Sequence, residues 1–140
     1  MRTHKRLVGA LGAALALGAL AAPAAGAATV HPMGTSSYQR FTNMAGGFGT
    51  HYFSTKNHYA GYDAQTCVAI SGYTGSVLDR GYAVSLRAAP SRKALWVSPT
   101  YFTDRNKCSP WKKHKGSVYT RITTYSLTFI ASAKVWIYTN

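Results

Sequence analysis

The chain is short, strongly basic and almost free of acidic residues. It has 140 residues, with 16 Lys and Arg against three acids, and a formal net charge of +13 at pH 7. This length suits one domain with a modest core. The charge predicts attraction to polyanions such as nucleic acid, anionic cell-wall polymers or acidic membrane surfaces; the alternative interpretation is that it only keeps the protein soluble. All three acids are scattered aspartates, which argues against a two-carboxylate glycosidase.

The N-terminus has the pattern of a secretory signal peptide. Three cations lie in residues 1–6, only Leu, Val, Ala and Gly occupy residues 7–22, and small residues flank a cleavage point after Ala27. The apolar run is shorter and richer in Ala and Gly than a membrane span of about 20 residues. We therefore expect residues 1–27 to be a cleaved signal peptide, and the product to be secreted and extracellular, with no stable membrane insertion.

The remaining chain has the texture of a β protein. Residues 28–37 lack periodicity and predict a flexible N-terminal arm, followed by a single domain at residues 38–140. Tyr82, Val84 and Leu86 alternate with Ala83, Ser85 and Arg87, which predicts a strand with one apolar face. Turn residues, including Gly72 with Gly75, separate several short β-like runs and favour an all-β fold, a small antiparallel β-sandwich or barrel. The other runs are Tyr38–Met44, Gly49–Ser54, Gln65–Ser71, Ala94–Val97, Ser117–Ala131 and Lys134–Tyr138.

Two cysteines occur, Cys67 and Cys108. In an exported protein such an even pair predicts a disulfide. The bridge would close a loop of about 40 residues and contribute on the order of 4 kcal/mol in the chain-entropy model. It would also remove both thiols as nucleophiles or metal ligands.

The most distinctive segment is Asp104–Gly116, here called the basic segment. Pro110 interrupts any strand, so an exposed loop pinned by Cys108 is expected. Because Trp and Arg dominate interface hot spots, the segment predicts a binding site; the competing interpretation is a solvated loop with Trp111 folded onto the core. The candidate binding residues are Arg105, Lys107, Trp111, Lys112, Lys113 and Lys115. A second cationic turn, with Arg87, Arg92 and Lys93, would extend this patch if the fold brings the two together.

Catalytic patterns are sparse. Two histidines and a lysine could cleave RNA by general acid–base chemistry, but the spacing does not favour it. The candidates are His51, His58 and His114 with Lys56 or Lys113. No metal site is predicted, because zinc needs three or four ligands and the cysteines are expected to be bridged. No cofactor is predicted either.

These observations favour a secreted basic binding protein, an inhibitor or an adaptor in a larger extracellular assembly. An extracellular protein is the expected partner, with an anionic cell-wall polymer or nucleic acid as alternatives. Two other functions stay open: a bacteriocin-like antibacterial effector attracted to anionic envelopes, and a small secreted hydrolase such as a histidine-dependent ribonuclease.

Overall fold

The structure, a computed structural model, describes residues 35–140. The predicted signal peptide at 1–27, and residues 28–34 of the predicted arm, lie outside the described residues. Within 35–140 the chain forms no helix, and so none that could cross a membrane. Ten strands follow in chain order: β1 (Ser36–Ala45), β2 (His51–Ser54), β3 (His58–Ala60), β4 (Asp63–Gly75), β5 (Tyr82–Ala88), β6 (Ala94–Val97), β7 (Arg105–Cys108), β8 (Lys112–Lys113), β9 (Gly116–Thr124) and β10 (Thr128–Thr139).

The strands form two antiparallel sheets of five strands each. Sheet A has the order β1-β10-β4-β7, and β8 also pairs with β4. Sheet B has the order β2-β9-β5-β6, and β3 also pairs with β9. Strand β6 is thus an edge of sheet B and β7 an edge of sheet A, and residues 98–104 connect the two edges. The expectation of an all-β antiparallel fold is confirmed.

The buried faces of the two sheets share one core. Val68 and Val135 of sheet A belong to the same apolar cluster as Val84 of sheet B. The hydroxyls of Thr66 and Thr120 lie 2.6 Å apart and join the two layers by a buried hydrogen bond. The predicted apolar face of Tyr82, Val84 and Leu86 is confirmed, since all three side chains are at most 1% exposed.

A kink crosses three neighbouring strands of sheet A. The pairing is interrupted at one residue in each strand: Asn43 in β1, Ala131 in β10 and Gly72 in β4. Asn43 and Gly72 have φ angles of 52° and 68°, in the left-handed region. Gly72, which the sequence places in a turn, thus lies inside β4. The kink changes which side chains of β4 face the core. Ile70 and Tyr73 both pack against the core, although residues three apart in a regular strand point to opposite faces.

Several strand boundaries differ from the sequence predictions. The β-like run Ser117–Ala131 is divided between two strands: a turn at residues 125–127 separates β9 from β10, and Leu127 adopts a φ of 63°. This turn contains no Gly or Pro that could have indicated it. The domain begins earlier than predicted, because Ser36 of the expected arm already pairs with Tyr138. Strand β6 has the predicted bounds.

The predicted disulfide is confirmed. Cys67 and Cys108 are bonded, and they lie directly opposite each other in the β4–β7 ladder. The bridge therefore fixes β7, a strand of only four residues, to the centre of sheet A.

Candidate binding groove

The basic segment is not the exposed loop that the sequence predicts. Its residues 105–108 form β7 and residues 112–113 form β8, and both strands pair with β4. The chain leaves the ladder only around Pro110. There Ser109 continues the contact with β4, because its N–H donates to the Thr66 carbonyl (2.8 Å) and its hydroxyl accepts from the Thr66 N–H (3.1 Å). The segment is therefore a broken edge strand, with its backbone held against sheet A.

Asp104 anchors the beginning of the segment. Its carboxylate accepts hydrogen bonds from the N–H groups of Gly72 (3.2 Å) and Tyr73 (2.7 Å) at the kink in β4. Charge-assisted bonds of this kind are stronger than neutral ones. Together with the disulfide at Cys108, Asp104 fixes β7 at both ends.

Two of the predicted cations project over the open edge between the sheets. Arg105 and Lys107 lie opposite Ile70 and Val68, whose side chains are buried in the core. Directly opposite residues point to the same face of a sheet, so both cations extend toward the gap between β7 and β6. A groove of about 560 Å³ lies there; its lining consists of Trp96, Pro99, Tyr101, Arg105, Lys107, Cys108 and Pro110.

The aromatic wall of the groove is backed by the core. The Arg105 guanidinium lies 5.2 Å from the ring centroid of Tyr101, within cation–π range. Tyr101 in turn packs against Tyr82, with ring centroids 5.6 Å apart. Tyr82 is fully buried, its hydroxyl donates to the Thr103 carbonyl (2.8 Å), and burial raises the pKa of its phenol. A core side chain thus holds the wall in place.

The lining residues determine which kind of ligand this groove could hold. Among the described residues that line it there is no histidine and no carboxylate, so an acid–base pair is missing from the wall. It offers two permanent cations beside apolar surface, which fits an acidic ligand with an apolar backbone or side chains. No protein-family model matches the chain, and no curated protein matches it in sequence.

The other four predicted binding residues lie outside this groove. Trp111 and Lys112 are half-buried, whereas Lys113 and Lys115 are exposed, and none of the four lines the groove. Lys113 places its ammonium 5.8 Å from the ring centroid of Tyr62. These residues follow the groove residues along the chain: Trp111 directly precedes β8, Lys112 and Lys113 form it, and Lys115 lies after it.

The candidate acid–base histidines are spread over sheet B and its surroundings. His51 lies opposite Thr124 and His58 opposite Val118, at opposite ends of β9. Six strand positions correspond to about 20 Å, so these two rings cannot share one phosphodiester. His58 is engaged by the Thr35 hydroxyl at 2.9 Å. Within residues 35–140, no three His, Cys, Asp or Glu side chains gather as a metal site.

Sequence reasoning missed half of the groove. Trp96, Pro99 and Tyr101 come from β6 and the connection that follows it, and no local pattern marks them as a site. The only feature of the sequence that could have indicated them is their place in the chain, shortly before the basic segment. Contact with Arg105 follows from where the chain crosses between the sheets.

Proposed function

We propose that the protein is secreted and binds an acidic segment of an extracellular protein partner in this groove. The observation that supports the proposal is the pairing of Arg105 and Lys107 with an aromatic wall at an open sheet edge. The disulfide is compatible with an extracellular location.

Electrostatics would both attract and orient the partner. Without residues 1–27, which hold three cations, 13 Lys and Arg are set against three Asp, a net charge of +10, and Asp104, the nearest aspartate in sequence, is already engaged by two backbone amides. Arg105 and Lys107 are therefore available for carboxylates of a ligand. Complementary charges at an interface raise the association rate and fix the register of the partner.

The backbone of β7 offers a second mode of recognition. Within the described part of the chain, β7 has a strand neighbour on one side only, and all four of its residues are exposed. Such an edge can accept an extended segment by strand addition. Charges on an edge strand oppose pairing with a second copy of the same chain, but carboxylates on a partner convert this repulsion into attraction.

Trp111 and the lysines of β8 would form the flank of the interface. A half-buried Trp beside cations is a typical anchor, because it supplies a large contact area from a fixed position. Replacement of Trp111 by Ala should therefore weaken partner binding with little loss of melting temperature. A large loss of stability with unchanged binding would show that Trp111 serves only the fold.

The test begins with affinity capture from native culture supernatant. The double variant Arg105→Gln/Lys107→Gln should bind the captured protein about tenfold or more weakly, mainly through a slower association rate. A matched control exists in Arg40→Gln/Lys134→Gln, which removes one Arg and one Lys that lie opposite each other on sheet A and are both exposed. The control should stay within about threefold of wild type, since long-range attraction alone is weak under salt.

Two results would contradict the proposal. Equal losses in the two double variants would mean that net charge, and not the groove, governs binding. Capture of nucleic acid or of a cell-wall polymer in place of a stoichiometric protein would favour an effector attracted to anionic surfaces.

A further inference from the structure

A second cationic site lies on the outer face of sheet B. Arg121 belongs to β9, between the fully buried Thr120 and Ile122, so its side chain projects from the opposite face of the sheet. It lies opposite Ser85 of β5 and Ser54 of β2. Arg121 therefore occupies the middle of this outer face.

Two tyrosines hold the Arg121 guanidinium in place. The central carbon of the guanidinium, Cζ, lies 4.8 Å from the ring centroid of Tyr52 and 5.6 Å from that of Tyr119. One terminal nitrogen donates to the Tyr119 hydroxyl (3.2 Å), while the enclosed Nε has no hydrogen-bond partner among the described residues. A guanidinium has five N–H donors in a rigid fork, so most of the donors are unused although the group is already fixed.

The second cationic turn delivers further positive charge to the same face. Arg87 donates to the Ser85 hydroxyl (3.1 Å) and to the Arg92 carbonyl (2.7 Å), which ties the turn to β5. Arg92 has a φ of 61°, a left-handed conformation that L side chains other than Asn and Asp rarely adopt. The turn therefore keeps an arginine where backbone sterics favour glycine. None of its cations lines the groove beside β7, so the fold does not bring this turn into that patch.

Arg92 and Arg121 line one hollow of about 430 Å³ on this face. Among the described residues, none of the three aspartates belongs to its lining, so neither arginine meets a carboxylate there. Uncharged donors complete the wall. They are Ser54, Asn57 and Tyr119.

We infer that this hollow binds a phosphate group, as free phosphate or as a phosphomonoester. Arginine forks match phosphate oxygens in a bidentate geometry. Two lining arginines, with Arg87 behind them, balance a group that carries about −1.5 to −2 charges at pH 7 better than they balance a single carboxylate. The lining shares no residue with the groove beside β7, so this site is independent of the proposed partner interface.

The test is a titration of the purified protein, followed by backbone amide NMR shifts, with inorganic phosphate, glycerol 1-phosphate, acetate and chloride at matched ionic strength. Phosphate should produce saturable shifts confined to the lining of the hollow, with a Kd on the order of 1 mM, and acetate and chloride should not. Tighter binding of the ester would identify a phosphorylated molecule as the source, and equal binding would identify free phosphate.

Three variants locate the binding. Arg121→Gln should weaken phosphate binding by about tenfold or more. Arg92→Gly should weaken it without lowering the melting temperature, because glycine accepts the left-handed conformation; this variant keeps the test valid if Arg121→Gln folds poorly. The control Arg40→Gln, on sheet A, should bind phosphate as wild type does. Equal losses in Arg40→Gln and Arg92→Gly, shifts spread over both sheets, or the same response to chloride would overturn the inference.

Discussion

The disulfide gives the sharpest prediction about stability. Replacement of Cys67 and Cys108 by Ala, or reduction with a thiol, opens a cross-link between residues separated by 41 positions. In the chain-entropy model a loop of this length corresponds to about 4 kcal/mol at 25 °C. Because a domain of this size is stabilised by only about 5–15 kcal/mol in total, the bridge contributes a large share.

The location of the bridge adds a local effect. Strand β7 has four residues, all exposed, and its ladder with β4 is short. Without the cross-link, β7 should open from the sheet more readily than strands of the core, since local stability follows burial and contact density. The groove wall that carries Arg105 and Lys107 would open with it.

Thermal unfolding followed by circular dichroism, with and without reductant, measures the global effect. At roughly 4–8 °C per kcal/mol for a domain of this size, a loss of about 4 kcal/mol should lower the melting temperature by about 16–32 °C. The Cys67→Ala/Cys108→Ala variant should melt like the reduced protein and should not respond to reductant. If the melting temperature fell by less than about 3 °C in both the reduced protein and the double variant, the claim that the bridge stabilises β7 would be refuted.

Three further predictions concern the kink in sheet A and its surroundings. Gly72→Ala should lower the free energy of unfolding by at least about 2 kcal/mol by urea denaturation, because φ is 68° and a Cβ would lie 2.5 Å from that of Ala131; a smaller loss would refute the strain. Asp104→Ala should lower it by about 1–2 kcal/mol and Asp104→Asn by less, since two amide hydrogen bonds are lost; unchanged stability in Asp104→Ala would show that these bonds contribute nothing. Burial of the Tyr73 phenol, its hydrogen bond with Asp79 and the negative charge of Asp79 together raise the pKa of Tyr73 to about 12. Stability from Tyr73 should therefore be present below pH 10 and be lost as pH rises from 10 to 12, and Tyr73→Phe should flatten this decline; parallel pH profiles would contradict it.

The sequence predicts the fold class well because its local signals agree. The apolar face of Tyr82, Val84 and Leu86 follows from period-two patterning and the bounds of β6 from a short β-like run. The disulfide follows from the cysteine count in a chain with an export pattern. The turn at residues 125–127 was missed because tertiary contacts, and not Gly or Pro, define it. There the Leu127 N–H donates to the carbonyls of Gly46 and Gly47 (3.2 and 2.9 Å).

The candidate sites depend on topology that sequence patterns do not contain. Pro110 argues for a loop, yet the Ser109 hydroxyl and backbone keep the segment against β4. Arg105 meets Tyr101 only because the chain crosses between the sheets at this edge. Similarly, Arg121 and Arg92 are 29 residues apart in sequence and meet through the strand order of sheet B.

The groove account can be tested most directly by hydrogen–deuterium exchange of the protein alone and with its captured partner. If an acidic segment binds in the groove by strand addition, partner binding should slow amide exchange in β7 and around Trp96, while β1, at the opposite edge of sheet A, stays unchanged. Protection confined to β1 or to the outer face of sheet B, with β7 exchanging as in the free protein, would contradict the account.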